Sequence, residues 1–222
     1  GALDLDVQKL NVDMLTLNGS KIYGPKGIGM LYKRSIIKLV PLIHGGGQEF
    51  GVRSGTENVP FIVGFTKALE LGNEERTKEN ERLIELRTFL EQSIIDTIPK
   101  SFLNGHPTKR LPNNVNITIA DIEGEAMMLY LNKYGICASS GSACTSATLE
   151  PSHVILAMNL PYEVAHGTLR LTLGKRTTKQ ELKKIIEVLP DVVKQLRRIS
   201  PVKLDFDTID IPTEKDYASI SR

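Results

Sequence analysis

The sequence predicts a mixed α/β protein whose elements fall into two lobes joined by one long helix. Three observations carry this prediction. Two short apolar runs, 12–17 and 28–32, flank a turn region made of Asn18-Gly19-Ser20-Lys21 and Gly24-Pro25-Lys26-Gly27. Gly and Pro at those points mark tight turns between strands. A helical pattern that begins near Pro60 is polar over 73–82, then places Leu83, Leu86, Leu90, Ile94 and Ile98 at spacings of three and four. That spacing makes an apolar stripe on one helix face. Beyond Phe102, residues 115–119 alternate as a half-buried strand does, and further helix and strand signals follow. A helix that is buried, then solvated, then buried again suits a connection between lobes.

The predicted boundaries are 1–76 for the first lobe, 77–198 for the second and 199–222 for a tail. In the second lobe, 123–134 reads as a helix stopped by Gly135 in a left-handed cap. Residues 136–138 read as the start of a short strand that enters a loop of small residues, Ser139-Ser140-Gly141-Ser142-Ala143-Cys144-Thr145-Ser146-Ala147. Another strand is predicted over 169–173. Thr178-Lys179-Gln180-Glu181 is a capping box, followed by Leu182, Ile185, Ile186 and Leu189 on one face. Pro190 is expected to kink or restart that helix. From Ser200 onward, prolines and scattered charges read as a tail with no core of its own.

Composition narrows the function classes. A chain of 222 residues that is 41% hydrophobic and 24% charged is an ordinary soluble globular composition, able to bury a core. The formal net charge of +2, from 28 basic against 26 acidic residues, favours neither nucleic acid nor a membrane surface as partner. Two cysteines make no disulfide framework, which points to a reducing compartment such as the cytoplasm. No apolar run approaches a membrane span, and the first residues lack the layout of a signal peptide. No metal-ligating set is read.

Lys21 stands between a Gly-Ser turn and Ile22-Tyr23-Gly24-Pro25-Lys26-Gly27. By position alone it is a solvated loop lysine. In a dry, preorganised turn, desolvation would lower its pKa and free the amine to bond a carbonyl carbon. Asn18, Ser20 and the backbone amides of the turn are then candidate phosphate donors. No Walker or dinucleotide glycine pattern occurs in the required context, and His44-Gly45-Gly46-Gly47 has no nucleophile elbow to partner it. Cys137, between Ile136 and Ala138, reads as a buried and inert thiol. Cys144 lies in a polar loop of small residues, where a reactive thiol and an incidental surface cysteine are both open readings. Arg170 interrupts the apolar strand Leu169-Arg170-Leu171-Thr172-Leu173. It must either pair internally or face a ligand, and its fork suits a carboxylate.

Six stretches taken together resemble the cysteine desulfurases, class-V members of the pyridoxal-phosphate (PLP) enzymes of fold type I. They are Asn18 to Gly27, His44-Gly45-Gly46-Gly47-Gln48-Glu49, Arg53-Ser54-Gly55-Thr56-Glu57-Asn58, Ser139 to Ser146, Leu149-Glu150-Pro151-Ser152-His153 and Leu169 to Gly174. The resemblance implies an α/β fold made of part of the large PLP domain and then a small α+β C-terminal domain. It implies that Lys21 bonds PLP covalently, that Asn18 and Ser20 are phosphate ligands, and that Thr56 reaches the phosphate in the neighbouring subunit of a homodimer. It further implies that Cys144 accepts sulfur from L-cysteine, that Arg170 holds the substrate carboxylate, and that the sulfur passes to an acceptor or iron–sulfur scaffold protein. Ser20 replaces the histidine common before the lysine, and Phe50 stands where arginine is common. Selenocysteine lyase and a non-catalytic docking or dimerisation module are the rival readings. The family carries a large segment ahead of the position of Gly1, with the ring-stacking aromatic and the aspartate that pairs with the pyridine nitrogen. The chain by itself is therefore expected to bind PLP poorly and to turn over little.

Overall fold

The computed structural model describes residues 1–140 and 150–218. The chain divides into two compact units, Gly1–Lys78 and Glu79–Arg222. The division falls within the long helix, at its polar stretch. The first unit is built on a two-stranded antiparallel ribbon of β1 (Met14–Asn18) and β2 (Gly29–Lys33), in register from Met14 opposite Lys33 to Asn18 opposite Gly29. The predicted strands are present, each shifted by one or two residues. The turn that joins them is closed at both ends. The Gly19 amide donates to the Ile28 carbonyl at 2.9 Å, and the Gly24 amide donates to the Gly19 carbonyl at 2.9 Å. Gly19 is required there, because a Cβ would lie 2.8 Å from Ile28 Cγ2 and 3.0 Å from the Pro25 carbonyl oxygen. The start of α1 (Val59–Thr97) completes the unit and buries Phe65.

The second unit begins with the rest of α1, whose stripe Leu83, Leu86, Leu90, Ile94 and Ile98 is buried as the spacing predicts. An antiparallel sheet, β3 (Ser101–Leu103), β4 (Asn114–Ile119) and β5 (Thr168–Thr172), runs in that spatial order. Val115, Ile117, Ile119, Leu169 and Leu171 share one sheet face. They join a core with the α1 stripe, α2 (Gly124–Asn132) and α5 (Lys179–Ile199). The Thr178–Glu181 capping box forms, and Gly135 has φ +73° beyond α2, as predicted. Two one-turn helices, α3 (His153–Leu156) and α4 (Tyr162–Ala165), lead into β5. A short α6 (Glu214–Ala218) lies near the end. None of the described helices is long and apolar enough to cross a membrane.

Four expectations need correction. The α5 helix runs through Pro190 as one element, so it does not restart there. Buried Leu189 before it, and Val192, Val193 and Leu196 after it, hold both halves on the same core, which offsets the missing hydrogen bond. Residues 136–138 form no strand; only Ser139 makes a bridge, to Arg170. Cys137 is exposed, because in this extended segment the buried position belongs to Ile136 and the next side chain turns outward. Finally, the tail packs on the unit. Leu204, Phe206, Ile209 and Ile211 lie against a second apolar cluster of Phe102, Ile155, Leu160, Val164 and Ala165. The Phe206 and Phe102 rings stand 6.1 Å apart.

Candidate functional site

Lys21 is fixed by its backbone. Residues Gly19–Ile22 form a single 3-10 turn, capped by Asn18 in an extended conformation. Asn18 Oδ1 accepts from the Ser20 amide at 3.0 Å and from Ser20 Oγ at 2.8 Å. Tyr23 closes the turn in the left-handed region at φ +66°. The arrangement is an Asx-type cap. It leaves the Lys21 side chain exposed on a capped turn. Asn18 thus spends its carbonyl oxygen on the cap, and its NH2 group makes no hydrogen bond among the described residues. The Ser20 hydroxyl is engaged with Asn18 and must rotate to donate elsewhere. A primary amine beside an amide donor and a hydroxyl matches the two ends of a phosphorylated aldehyde such as PLP, so this donor set fits the cofactor. Thr56 lies in the same unit, exposed, in the irregular segment that precedes α1.

The remaining predicted residues belong to the second unit. Arg170 is half-buried in β5, opposite Asn116 of β4 on one side and Ser139 on the other. Ser139 and Arg170 exchange both backbone hydrogen bonds, at 3.0 and 2.7 Å. Among the described residues no carboxylate lies within ion-pair distance of Arg170, so of its two open readings the internal ion pair finds no support there. Cys144 lies outside the described residues. Its loop leaves from Ser140, whose amide points at Met128 Sδ, 2.8 Å away. The Ser140 Cβ also stands 3.0 Å from where a side chain on Gly124 would begin. Sequence reasoning did not single out Asn116, Asn104 or Ser139 around Arg170. Their signal is cross-strand register, which no local pattern encodes. Among the described residues no group of three His, Cys, Asp or Glu side chains is placed to hold a metal ion.

Comparison with known proteins agrees with the fold. The aminotransferase class-V family matches residues 1–185, and the chain belongs to that family. Its fold is that of the α/β, fold-type-I PLP enzymes. Within the family it is 51% identical over 202 residues to the cysteine desulfurase IscS of Methanosarcina thermophila, covering 91% of this chain and 50% of that protein. It is 52% identical to cysteine desulfurase IscS 1 of Archaeoglobus fulgidus, covering 91% of this chain and 53% of that one. Among solved structures, the NifS-like protein of Rickettsia africae superposes with a TM-score of 0.79 at 30% identity, covering 87% of this chain and 51% of that chain. The chain spans about half the length of the curated relatives it matches.

Proposed function

We propose that the chain carries the lysine- and cysteine-bearing part of a PLP-dependent cysteine desulfurase, which takes sulfur from L-cysteine, gives L-alanine, and holds the sulfur as a persulfide. The carrying observation is the Asn18-capped turn that presents Lys21 on a fixed backbone, and relatives named cysteine desulfurase at about half identity support it. In this reading Lys21 Nζ would hold the cofactor by condensing with its carbonyl carbon and expelling water, while Asn18, Ser20 and the partner's Thr56 would hold its phosphate. When bound, PLP supplies an electron sink for bonds broken at the substrate. With substrate in place, the free Lys21 amine would carry protons to and from the substrate carbon. Arg170 holds the carboxylate. The Cys144 thiolate forms a bond to the substrate sulfur as the carbon–sulfur bond breaks, and the released carbon is protonated to give alanine. The persulfide sulfur then passes to an acceptor protein for iron–sulfur cluster assembly or thiolation in the cytoplasm. The expected functional form is a homodimer. In the first unit, Ile36, Val40, Leu42 and Phe50 are more than three-quarters exposed, and such apolar surface asks for cover.

The test uses the protein completed to the length of its relatives. Cys144→Ser should retain the visible absorbance of the bound cofactor and accumulate no persulfide, and Lys21→Ala should lose that absorbance. Normal persulfide on the serine variant, or unchanged absorbance in the alanine variant, overturns the assignment.

A further inference from the structure

The second face of the sheet carries a polar row that crosses β4 and β5 and reaches the segments paired on either side. Its members are Asn104, Asn116, Arg170 and Ser139. Asn104 continues the β3–β4 ladder, its amide donating to the Asn116 carbonyl at 2.9 Å. Asn116 is opposite Arg170, and Arg170 is opposite Ser139. Arg170 uses its backbone N–H and C=O on Ser139. Both groups of a strand residue point the same way, so its pairing with Asn116 is the non-hydrogen-bonded kind. In such pairs the Cα atoms approach to about 4.5 Å and side chains lie closest.

The side chains of this row are linked to the buried threonines of β4 and β5 by hydrogen bonds. Thr168 Oγ1 donates to the Ala165 carbonyl at 2.8 Å, which fixes the hydroxyl beside Thr118. Thr118 Oγ1 meets both ends of the Asn104 amide, accepting from Nδ2 at 2.9 Å and donating to Oδ1 at 3.1 Å. Asn104 Nδ2 then donates to Asn116 Oδ1 at 2.8 Å. Asn104 and Thr118 are buried, at 4% and 0% exposure, so neither amide nor hydroxyl exchanges its bonds for water at low cost. With its oxygen held toward Asn104, Asn116 has its NH2 group left for the Arg170 side. No hydrogen bond from that group occurs among the described residues. The Arg170 guanidinium is equally uncommitted there: its Nη2 stands 3.5 Å from Ser139 Oγ, at the limit of a hydrogen bond.

We propose that Asn116 is a second carboxylate-binding residue beside Arg170, with Asn104 as its positioning residue. Ser139 completes the seat with a hydroxyl on the opposite flank. The fork of Arg170 takes one edge of an α-carboxylate, and the Asn116 NH2 donates to the oxygen nearer β4. The proposal rests on the assignment of Arg170 to the substrate carboxylate and extends it. A preformed donor lowers the ordering cost of binding, and the buried Thr118–Asn104 pair supplies that order.

The test is side-chain NMR of 15N-labelled chain 1–222, titrated with L-alanine and with L-alaninamide, which lacks the carboxylate. L-Alanine should move the Asn116 NH2 and Arg170 Nε signals with saturation, and L-alaninamide should leave both in place. Asn116→Ala should weaken L-alanine binding about ten- to hundredfold, the span of one hydrogen bond to a charged group. Asn116→Asp keeps the shape of the side chain but sets a carboxylate against Arg170, and it should weaken binding at least as much. Asn104→Ala should weaken it less and broaden the Asn116 NH2 signals. Parent-like binding by both Asn116 variants overturns the proposal, as does equal binding of L-alaninamide or no response from the parent chain. Arg170→Ala separates the two layers. Loss of binding there with intact binding in the Asn116 variants removes only Asn116. Intact binding in Arg170→Ala removes the carboxylate assignment itself.

Discussion

The backbone amide of Leu204 donates to Asp121 Oδ1 at 2.7 Å, and the same carboxylate accepts from Lys100 Nζ at 3.1 Å. Lys100 also donates to the Leu204 carbonyl at 2.9 Å, which closes a three-cornered latch between the tail and the β4–α2 turn. Burial alone raises the Asp121 carboxyl. The Leu204 amide, the Lys100 ammonium and the Arg197 guanidinium together outweigh it, so the carboxyl sits below its ordinary value.

A depressed folded-state value means that this stability is present above the unfolded carboxylate value, about 3.9. It is lost as pH falls through the lower folded value. Asp121→Asn should remove the charge and keep the backbone, since Asp121 has φ +70° and asparagine tolerates that region. At neutral pH the variant should exchange the Leu204 amide proton roughly tenfold faster or more, consistent with a charge-assisted bond of about 1.5–3 kcal/mol. Hydrogen exchange followed by mass spectrometry checks this. In the parent chain the same protection should fade only on acidification below the ordinary carboxylate range.

Leu90, on the α1 stripe, is fully buried in the core that the helix shares with the sheet. Leu90→Ala should cost the second unit about 2–5 kcal/mol, through lost transfer energy and the cavity left behind. Urea unfolding measures it. Ile84, which is 44% exposed on the same helix, should tolerate alanine with a change within about 0.5 kcal/mol.

Gly167 lies where a Cβ would strike the Ile119 carbonyl oxygen, in a place of backbone against backbone. Its amide donates to Val164 and its carbonyl accepts from Ile119, so the peptide has no room to shift. Gly167→Ala should destabilise the unit by about 2–3 kcal/mol or more. Gly105 offers the contrast. It has φ +82° but nothing within 4 Å of the added carbon, so Gly105→Ala should cost only about 1–2 kcal/mol, from backbone strain. Thermal unfolding of the two variants side by side checks the order.

What the sequence disclosed was local. The α1 stripe, the capping box at Thr178, the left-handed stop at Gly135 and the turn before Lys21 each follow from residues within one or two turns of chain. Non-local facts stayed hidden. The tail's Phe206 finds Phe102 and Leu204 finds Asp121, partners far apart in the chain, the latter pair 83 residues apart, and a run of prolines and charges does not announce them. Cys137 was misread because three residues carry too little periodicity to say which one faces in. Arg170 was legible as an interruption of an apolar strand, whereas its neighbours Asn116 and Ser139 depend on register.

The central claim is chemical: the amine of Lys21 is the group that bonds a carbonyl cofactor. The protein completed to the length of its relatives, loaded with PLP, reduced with borohydride and digested, tests it directly by peptide mass. The account predicts a pyridoxyl adduct on the peptide that contains Lys21, absent in Lys21→Ala. An adduct on any other lysine, with the Lys21 peptide unmodified, would contradict it.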